Sequence, residues 1–245
     1  MASRITSAEF VISAASRRDF PTDGRPEIAM VGRSNVGKST LINTLVHKDI
    51  ARTSSTPGKT RLVNVYRIAP ASGSAFYLMD LPGYGHAGGG EKARAEFASL
   101  TSQYFESRME SGTGVSSVRN TGGTPVPLEQ PVPLGTPVPL VQPVPLVQPV
   151  PRGRRGPLGA VVLAIDARHP GMASDIEACH WLQAIGVPFL IVATKVDKLS
   201  QSDRSGLKRE SEQAFGSAVL PVSALKGDGL DELWRQISEW IKTGE

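Results

Sequence analysis

The sequence predicts an α/β domain: a three-layer arrangement with a mostly parallel sheet of six strands, one of them antiparallel, helices on both faces, and a low-complexity proline-rich loop set into it. Three observations predict it. Short runs rich in β-branched and aromatic residues alternate with stretches of helical periodicity, as a parallel sheet covered on both faces requires. A glycine-rich segment, 32–39, follows the first such run and opens a helix. Finally, Pro125, Pro131, Pro137, Pro143 and Pro149 recur every six residues in a Pro-Val-Pro-Leu pattern that fits neither element type.

In order along the chain, strands are expected at 28–31, 62–68, 75–80, 160–166, 189–194 and 218–222, each short and β-prone. The second and third form a hairpin across 69–74. Helices are expected after Gly37 and over 91–109, 173–185, 202–214 and 230–241. In the last, Leu230, Leu233, Trp234, Ile237, Trp240 and Ile241 share one helical face, which makes Trp234 and Trp240 core residues rather than ligand contacts.

The repeat cannot join a sheet or helix, because proline fixes φ and removes amide donors, and its valines and leucines are too sparse to enclose a core. With its Gly/Ser/Thr-rich lead and its Arg-Gly exit it is bounded at 111–156 as an extended or disordered insertion. The chain of 1–245 is then one domain with its core at about 24–110 and 157–243. A surface expansion without a specific partner is favoured over a ligand for a proline-recognising domain or a ribosomal surface, because loop length costs little folding free energy.

Composition narrows the function classes. Cys179 is the single cysteine, so no internal disulfide and no cysteine metal cluster is available, and it is expected as a small buried residue in a reducing cytoplasm. No apolar run approaches the ~20 residues a membrane span needs. The apolar piece at 10–15 is preceded by Glu9 and followed by Arg17, Arg18 and Asp19, the wrong layout for a secretion signal, so the chain reads as mature and cytosolic. The net charge of +4 and pI ≈ 9.3 favour phosphate-rich partners without proving contact with RNA.

Four motifs carry the chemistry. Gly32-Arg33-Ser34-Asn35-Val36-Gly37-Lys38-Ser39, followed by Thr40, matches the phosphate-loop pattern GxxxxGK[ST] between a strand and a helix. Its glycines let backbone amides and the helix N-terminus face a phosphate, with Lys38 bridging the β- and γ-phosphates and the Ser39 hydroxyl ligating Mg²⁺. Asp80-Leu81-Pro82-Gly83 ends a strand: Asp80 can hold magnesium through water, and the Gly83 N–H can approach a γ-phosphate. Thr194-Lys195-Val196-Asp197 matches [NT]KxD; the Asp197 carboxylate can accept hydrogen bonds from N1–H and the exocyclic amine of guanine, which adenine cannot offer, while Lys195 lies over the base plane and braces the phosphate loop. Ser223-Ala224-Leu225 follows the sixth strand, where amides can meet guanine O6. Alone each has a bland reading, such as a glycine turn, a strand-end Pro-Gly or a solvated Lys-Asp pair; in this order at strand ends they converge on a magnesium-bound guanine nucleotide, GTP or GDP. In the polar stretch 52–61, which holds Gly58, Thr60 is the choice for a γ-phosphate-sensing threonine that completes the magnesium shell, with Thr56 and Thr53 as alternatives.

With these residues in hand the chain resembles the EngB-type (YihA/YsxC) ribosome-biogenesis GTPases of the translation-factor-related class. The resemblance rests on GRSNVGKS (32–39), SSTPGKT (54–60), DLPGYGHA (80–87), DARH (166–169), TKVD and SAL, and spans nearly everything outside the insertion. It implies a P-loop GTPase fold, a role in large-subunit assembly, and rRNA and the pre-ribosomal large subunit as partners; apart from the resemblance, no membrane contact and a monomeric state are expected. The chain departs from the family in carrying the insertion and in having His86 where an aromatic is more usual. His86 and His169 are read as surface or packing residues, and Asp166 and Arg168 as structural or partner-facing.

Lys38, Gly83 and Thr60 are the expected catalytic groups. Ras-like enzymes place a water-orienting glutamine after the glycine of the third motif. Tyr84 stands there, so slow intrinsic turnover is expected. Asn35 resembles the asparagine by which related GTPases bind potassium, making K⁺ a candidate second cation beside Mg²⁺. The competing hypothesis is a non-catalytic GTP-dependent adaptor that recruits a partner through its proline arm; a GTPase of tRNA modification or membrane transport is a weaker third.

Overall fold

The computed structural model describes residues 5–51, 62–84, 100–108 and 157–243, with the side chain of Thr243 excepted. Seven strands among these residues form one sheet: β1 (Ile5–Ala14), β2 (Glu27–Gly32), β3 (Val63–Pro70), β4 (Phe76–Asp80), β5 (Leu158–Asp166), β6 (Phe189–Thr194) and β7 (Leu220–Pro221), in the spatial order β1-β3-β4-β2-β5-β6-β7. β4, β2, β5, β6 and β7 are mutually parallel, and β3 pairs antiparallel with both β4 and β1. The expected β3–β4 hairpin and the one reversed strand are therefore present.

The expectation of six strands needs one addition. β1 takes in all but the last residue of the piece at 10–15 and pairs with β3 from Ile5↔Pro70 to Ala14↔Val63. Register irregularities between Ile5 and Ser7 and between Phe10 and Ile12 break its two-residue period, and Phe10, Val11 and Ile12 are exposed. A bulged strand does not present the alternation by which a strand is read. β7 is shorter than expected, although the Val222 N–H still donates to the Ala193 carbonyl.

The helices are α1 (Lys38–Val46), α2 (100–108), α3 (Ala173–Ile185), α4 (Gln201–Phe215) and α5 (Leu230–Thr243). α2 is the described part of the helix expected at 91–109; the rest of that range and the insertion 111–156 lie outside the described residues. β2 and β5 are covered on both faces, which is why they read as continuous apolar runs. Alternation along β5 divides the core: Val161, Leu163 and Ile165 face α2, α3 and α4 with Tyr104, Cys179, Leu182 and Phe215, whereas Ala160 and Val162 face α1 and α5 with Leu41, Leu45, Trp234 and Ile237. Trp234 and Trp240 are core residues as expected, and the Trp234 indole donates to the Leu45 carbonyl at 3.0 Å, tying α5 to α1. No described helix is long and apolar enough to cross a membrane.

At the N-terminal end of the sheet, Glu27 is buried with Arg108 of α2. The guanidinium donates to both carboxylate oxygens, and the Tyr104 hydroxyl adds a bond at 2.9 Å. Burial raises the Glu27 carboxyl above its usual value against the pull of Arg108. The backbone N–H of Glu27 donates to the Pro157 carbonyl at 2.6 Å.

Candidate nucleotide site

The four motifs come together at the C-terminal edge of the parallel strands, where sheets of this kind bind ligands. β2 ends at Gly32, whose missing side chain matters: a Cβ there would lie 2.6 Å from the Ala164 carbonyl oxygen of β5. The chain then turns through Asn35 at φ 65° and Gly37 at φ 99° and enters α1 at Lys38. The left-handed backbone at Gly37 is why glycine stands there.

Lys38 is buried and reaches back across the loop. Its ammonium donates to Asp80 Oδ1 at 2.5 Å and to the Leu81 carbonyl at 2.7 Å, joining the start of α1 to the end of β4. Ser39 and Thr40 follow in the first turn of α1. A hydroxyl from Ser39 and a carboxylate from Asp80 are the hard oxygen donors that suit Mg²⁺, which is commonly held by few protein groups together with phosphate oxygens. The donor chemistry thus fits that ion, and among the described residues no cluster of three or more His, Cys, Asp or Glu offers a different kind of metal site.

The third motif lies against the phosphate loop. A Cβ on Gly83 would fall 2.8 Å from the Ser34 backbone nitrogen, and the Ser34 hydroxyl donates to the Gly83 carbonyl at 3.3 Å. Tyr84 pairs its main chain with the loop in both directions, its N–H donating to Gly32 and its carbonyl accepting from Ser34.

The TKVD segment grips the loop from the other side. The buried Thr194 hydroxyl lies 2.5 Å from the Val36 carbonyl oxygen and 2.9 Å from that of Ile165, sharing its proton between them. Lys195, itself left-handed at φ 60°, passes over Gly37 and donates to the Asn35 carbonyl at 2.5 Å and to Asp166 at 2.9 Å. Asp197 accepts from the Ser223 hydroxyl at 2.8 Å. That bond comes first among those that hold its carboxyl below the usual range. Ser223 in turn accepts from the Lys226 N–H, which shapes the SAL turn; Ala224 is half-buried and Leu225 exposed.

Of the residues singled out in the sequence, the structure therefore joins Lys38 with Asp80, Gly83 with Ser34, Thr194 and Lys195 with Val36 and Asn35, and Asp197 with Ser223. Gly58 and Thr60, with the alternatives Thr53 and Thr56, lie outside the described residues. Two acids escaped the sequence reading as parts of the site. Asp166, read as structural or partner-facing, takes Lys195 and also receives Arg168 at 2.7 and 2.9 Å. Burial pushes its carboxyl up, but the bonds from Arg168 and Lys195 outweigh burial and hold it well below the usual range. The signal available was its place at the end of the apolar run 160–166, like that of Thr194 at the end of 189–194; that the two pair became visible only with the sheet. Asp175 of α3 is fully buried, takes the Arg33 guanidinium Nε at 2.9 and 3.1 Å, and accepts the Tyr84 hydroxyl at 2.9 Å. Burial raises both the Asp175 carboxyl and the Tyr84 phenol above their ordinary values.

Comparison with known proteins gives the chain its family. The model of the 50S ribosome-binding GTPase family matches residues 27–111. The probable GTP-binding protein EngB of Chlorobaculum tepidum is 38% identical over 97% of this chain and 99% of that protein, and the probable GTP-binding protein EngB of Oceanobacillus iheyensis is 33% identical over 98% and 99%. Among solved structures, a probable GTP-binding protein engB superposes with a TM-score of 0.54 at 20% identity, covering 88% of this chain and 98% of that one. Era in complex with MgGDPNP and nucleotides 1506–1542 of 16S ribosomal RNA superposes with a TM-score of 0.60 at 20% identity, covering 89% and 57%. These two likenesses speak to the fold, whereas the full-length identities to the curated relatives speak to descent. The chain belongs to the EngB family of P-loop GTPases.

Proposed function

We propose that the chain binds GTP with magnesium at this edge, hydrolyses it slowly to GDP, and uses the two states as a switch in assembly of the large ribosomal subunit. The observation that carries the nucleotide reading is the hydrogen-bonded continuity of the motifs. Lys195 and Thr194 hold the phosphate loop that Lys38 ties to Asp80, and Asp197, two residues on, is oriented by Ser223. Phosphate and base recognition are then one rigid unit. In it Lys38 takes the β- and γ-phosphates, amides of 34–40 face them, Asp197 reads guanine, and Ala224 and Leu225 present amides to O6. Ser39, Asp80 and Thr60 would hold magnesium, which would supply positive charge to neutralise the phosphate oxygens.

Slow turnover follows from Tyr84. Its hydroxyl is committed to Asp175, so it does not orient an attacking water as a glutamine would. Asn35 is exposed in a left-handed turn, where its side-chain oxygen can meet a potassium ion that supplies positive charge beside the phosphates. Equal hydrolysis rates in potassium and sodium chloride would remove that cation from the scheme. The ribosomal role is supported by the matched family's description as 50S ribosome-binding and by the net charge of +4; a cytoplasmic location follows from that partner.

Calorimetry with GTP, GDP and ATP tests the base assignment, and Asp197→Asn should move preference from guanine toward xanthine nucleotides. Unaltered GTP affinity in that variant would defeat the assignment. For the switch, co-sedimentation with ribosomal particles is expected in GTP and not in GDP, and equal co-sedimentation in both would defeat it.

A further inference from the structure

Tyr84 and Asp175 form a contact that the proposed chemistry leaves unexplained. Asp175 is a completely buried carboxylate in the first turn of α3. It binds Arg33, the second residue of the phosphate loop, and the hydroxyl of Tyr84, the residue directly after Gly83. A buried carboxylate left unpaired is costly, and the Arg33 guanidinium removes that cost. Arg33 alone would compensate the charge, however, so the phenol bond adds something other than neutralisation.

What it adds is visible in the backbone. The Leu81 N–H donates to Met30 and the Tyr84 N–H to Gly32, so the β4 chain pairs with β2 on either side of Pro82 and Gly83 and steps over those two residues. The Tyr84 carbonyl then accepts from Ser34. The span carrying Gly83 is thus fixed at one end against β2, through Met30, and at the other against the loop that receives the phosphates, through Gly32 and Ser34. Its distal end is fixed twice, through the Tyr84 main chain and through the ring anchored on α3.

We propose that Tyr84 and Asp175 are positioning residues for the γ-phosphate: the phenol–carboxylate bond holds the Tyr84 end of the span so that the Gly83 N–H is preset for the third phosphate. The inference rests on the nucleotide reading above. It has a signature that a merely structural contact lacks. GDP has no γ-phosphate, so releasing the anchor leaves GDP affinity unchanged while weakening GTP. Tyr84→Phe is the cleanest perturbation, since it keeps the ring and deletes the bond.

The test measures dissociation constants for GDP and for a slowly hydrolysed GTP analogue, together with single-turnover hydrolysis, in the full-length wild-type chain, Tyr84→Phe, Asp175→Asn and the double variant. In Tyr84→Phe the GTP-analogue affinity is expected to fall about fivefold, the scale of one hydrogen bond, with a slower single turnover and constant GDP affinity. The double variant should discriminate GTP from GDP like Tyr84→Phe: asparagine keeps an oxygen that can accept the phenol, but once the phenol is gone the residue at 175 has no hold on that end of the span. Equal weakening of both nucleotides in Tyr84→Phe, or no change in either, would overturn the proposal, as would additive losses in the double variant. Failure of the wild-type chain to bind either guanine nucleotide is a separate result that would overturn the nucleotide reading itself. Should Asp175→Asn fail to fold, the two-nucleotide comparison in Tyr84→Phe decides alone.

Discussion

Thr194→Val isolates the hydroxyl that fastens the base-recognition segment to the phosphate loop. The side chain is 4% exposed, and its oxygen lies within hydrogen-bond distance of the Val36 and Ile165 carbonyls. Valine has nearly the same shape, so no cavity opens. What is lost is one shared hydrogen bond, about 1 kcal/mol, and the pairing of a buried carbonyl, about 1–3 kcal/mol. A loss near 2 kcal/mol is therefore expected, which for a domain of this size lowers the melting midpoint by about 4–8 °C. Urea and thermal unfolding followed by tryptophan fluorescence measure it, and a parallel GDP titration reads the site. Because Val36 immediately precedes Gly37 and Lys38, the GDP affinity should fall with the stability. Thr194→Asn, the other residue allowed by the [NT]KxD pattern, should restore both by supplying a donor at the same place. If Thr194→Val unfolds and binds GDP like the wild type, this hydroxyl does not hold the loop and the reasoning is wrong.

Other perturbations probe neighbouring parts of the molecule. Asp166 has a folded-state pKa below its ordinary one, so its contribution is present above about pH 4 and is lost as pH falls through the folded value; Asp166→Asn should be less stable than the wild type at pH 7, with a gap that narrows in denaturant titrations below about pH 4. Lys38→Met strands the buried Asp80 carboxylate and should destabilise the nucleotide-free protein by about 3–5 kcal/mol, while adding Asp80→Asn should recover much of the loss in urea unfolding. Gly216 and Gly229 both have positive φ, 64° and 75°, yet a Cβ at Gly216 meets open space and one at Gly229 falls on the Pro221 carbonyl. Thermal melts should therefore show Gly216→Ala losing about 1 kcal/mol and Gly229→Ala distinctly more.

The legible parts of this fold were those whose cause is local. The 173–185 helix emerges at its expected ends because Gly186 takes the left-handed turn that stops it. The phosphate loop and the TKVD segment were readable because each packs its chemistry into consecutive residues at a strand end. β1 was not, since its bulge and its exposed Phe10, Val11 and Ile12 disguise the alternation. Asp175 was invisible for a different reason. Its partners Tyr84 and Arg33 are 91 and 142 residues away in sequence, and nothing about an acid in the first turn of a helix distinguishes a buried anchor from an ordinary dipole partner. Asp166 stood in a quoted motif, but its tie to Lys195 depends on the β5–β6 pairing and so required the sheet.

Glu27 holds both described residues that flank the segment 109–156. Arg108, just before it, is gripped by the Glu27 carboxylate, and Pro157, just after it, accepts the Glu27 amide. Both flanks are thus moored at a single residue, at the foot of β2, with the length of the strand between that mooring and the phosphate loop. A change in the sequence between 109 and 156 is therefore expected to be felt first at the foot of β2, a strand's length from the phosphate loop, and closing a longer connection there costs only slowly more with length.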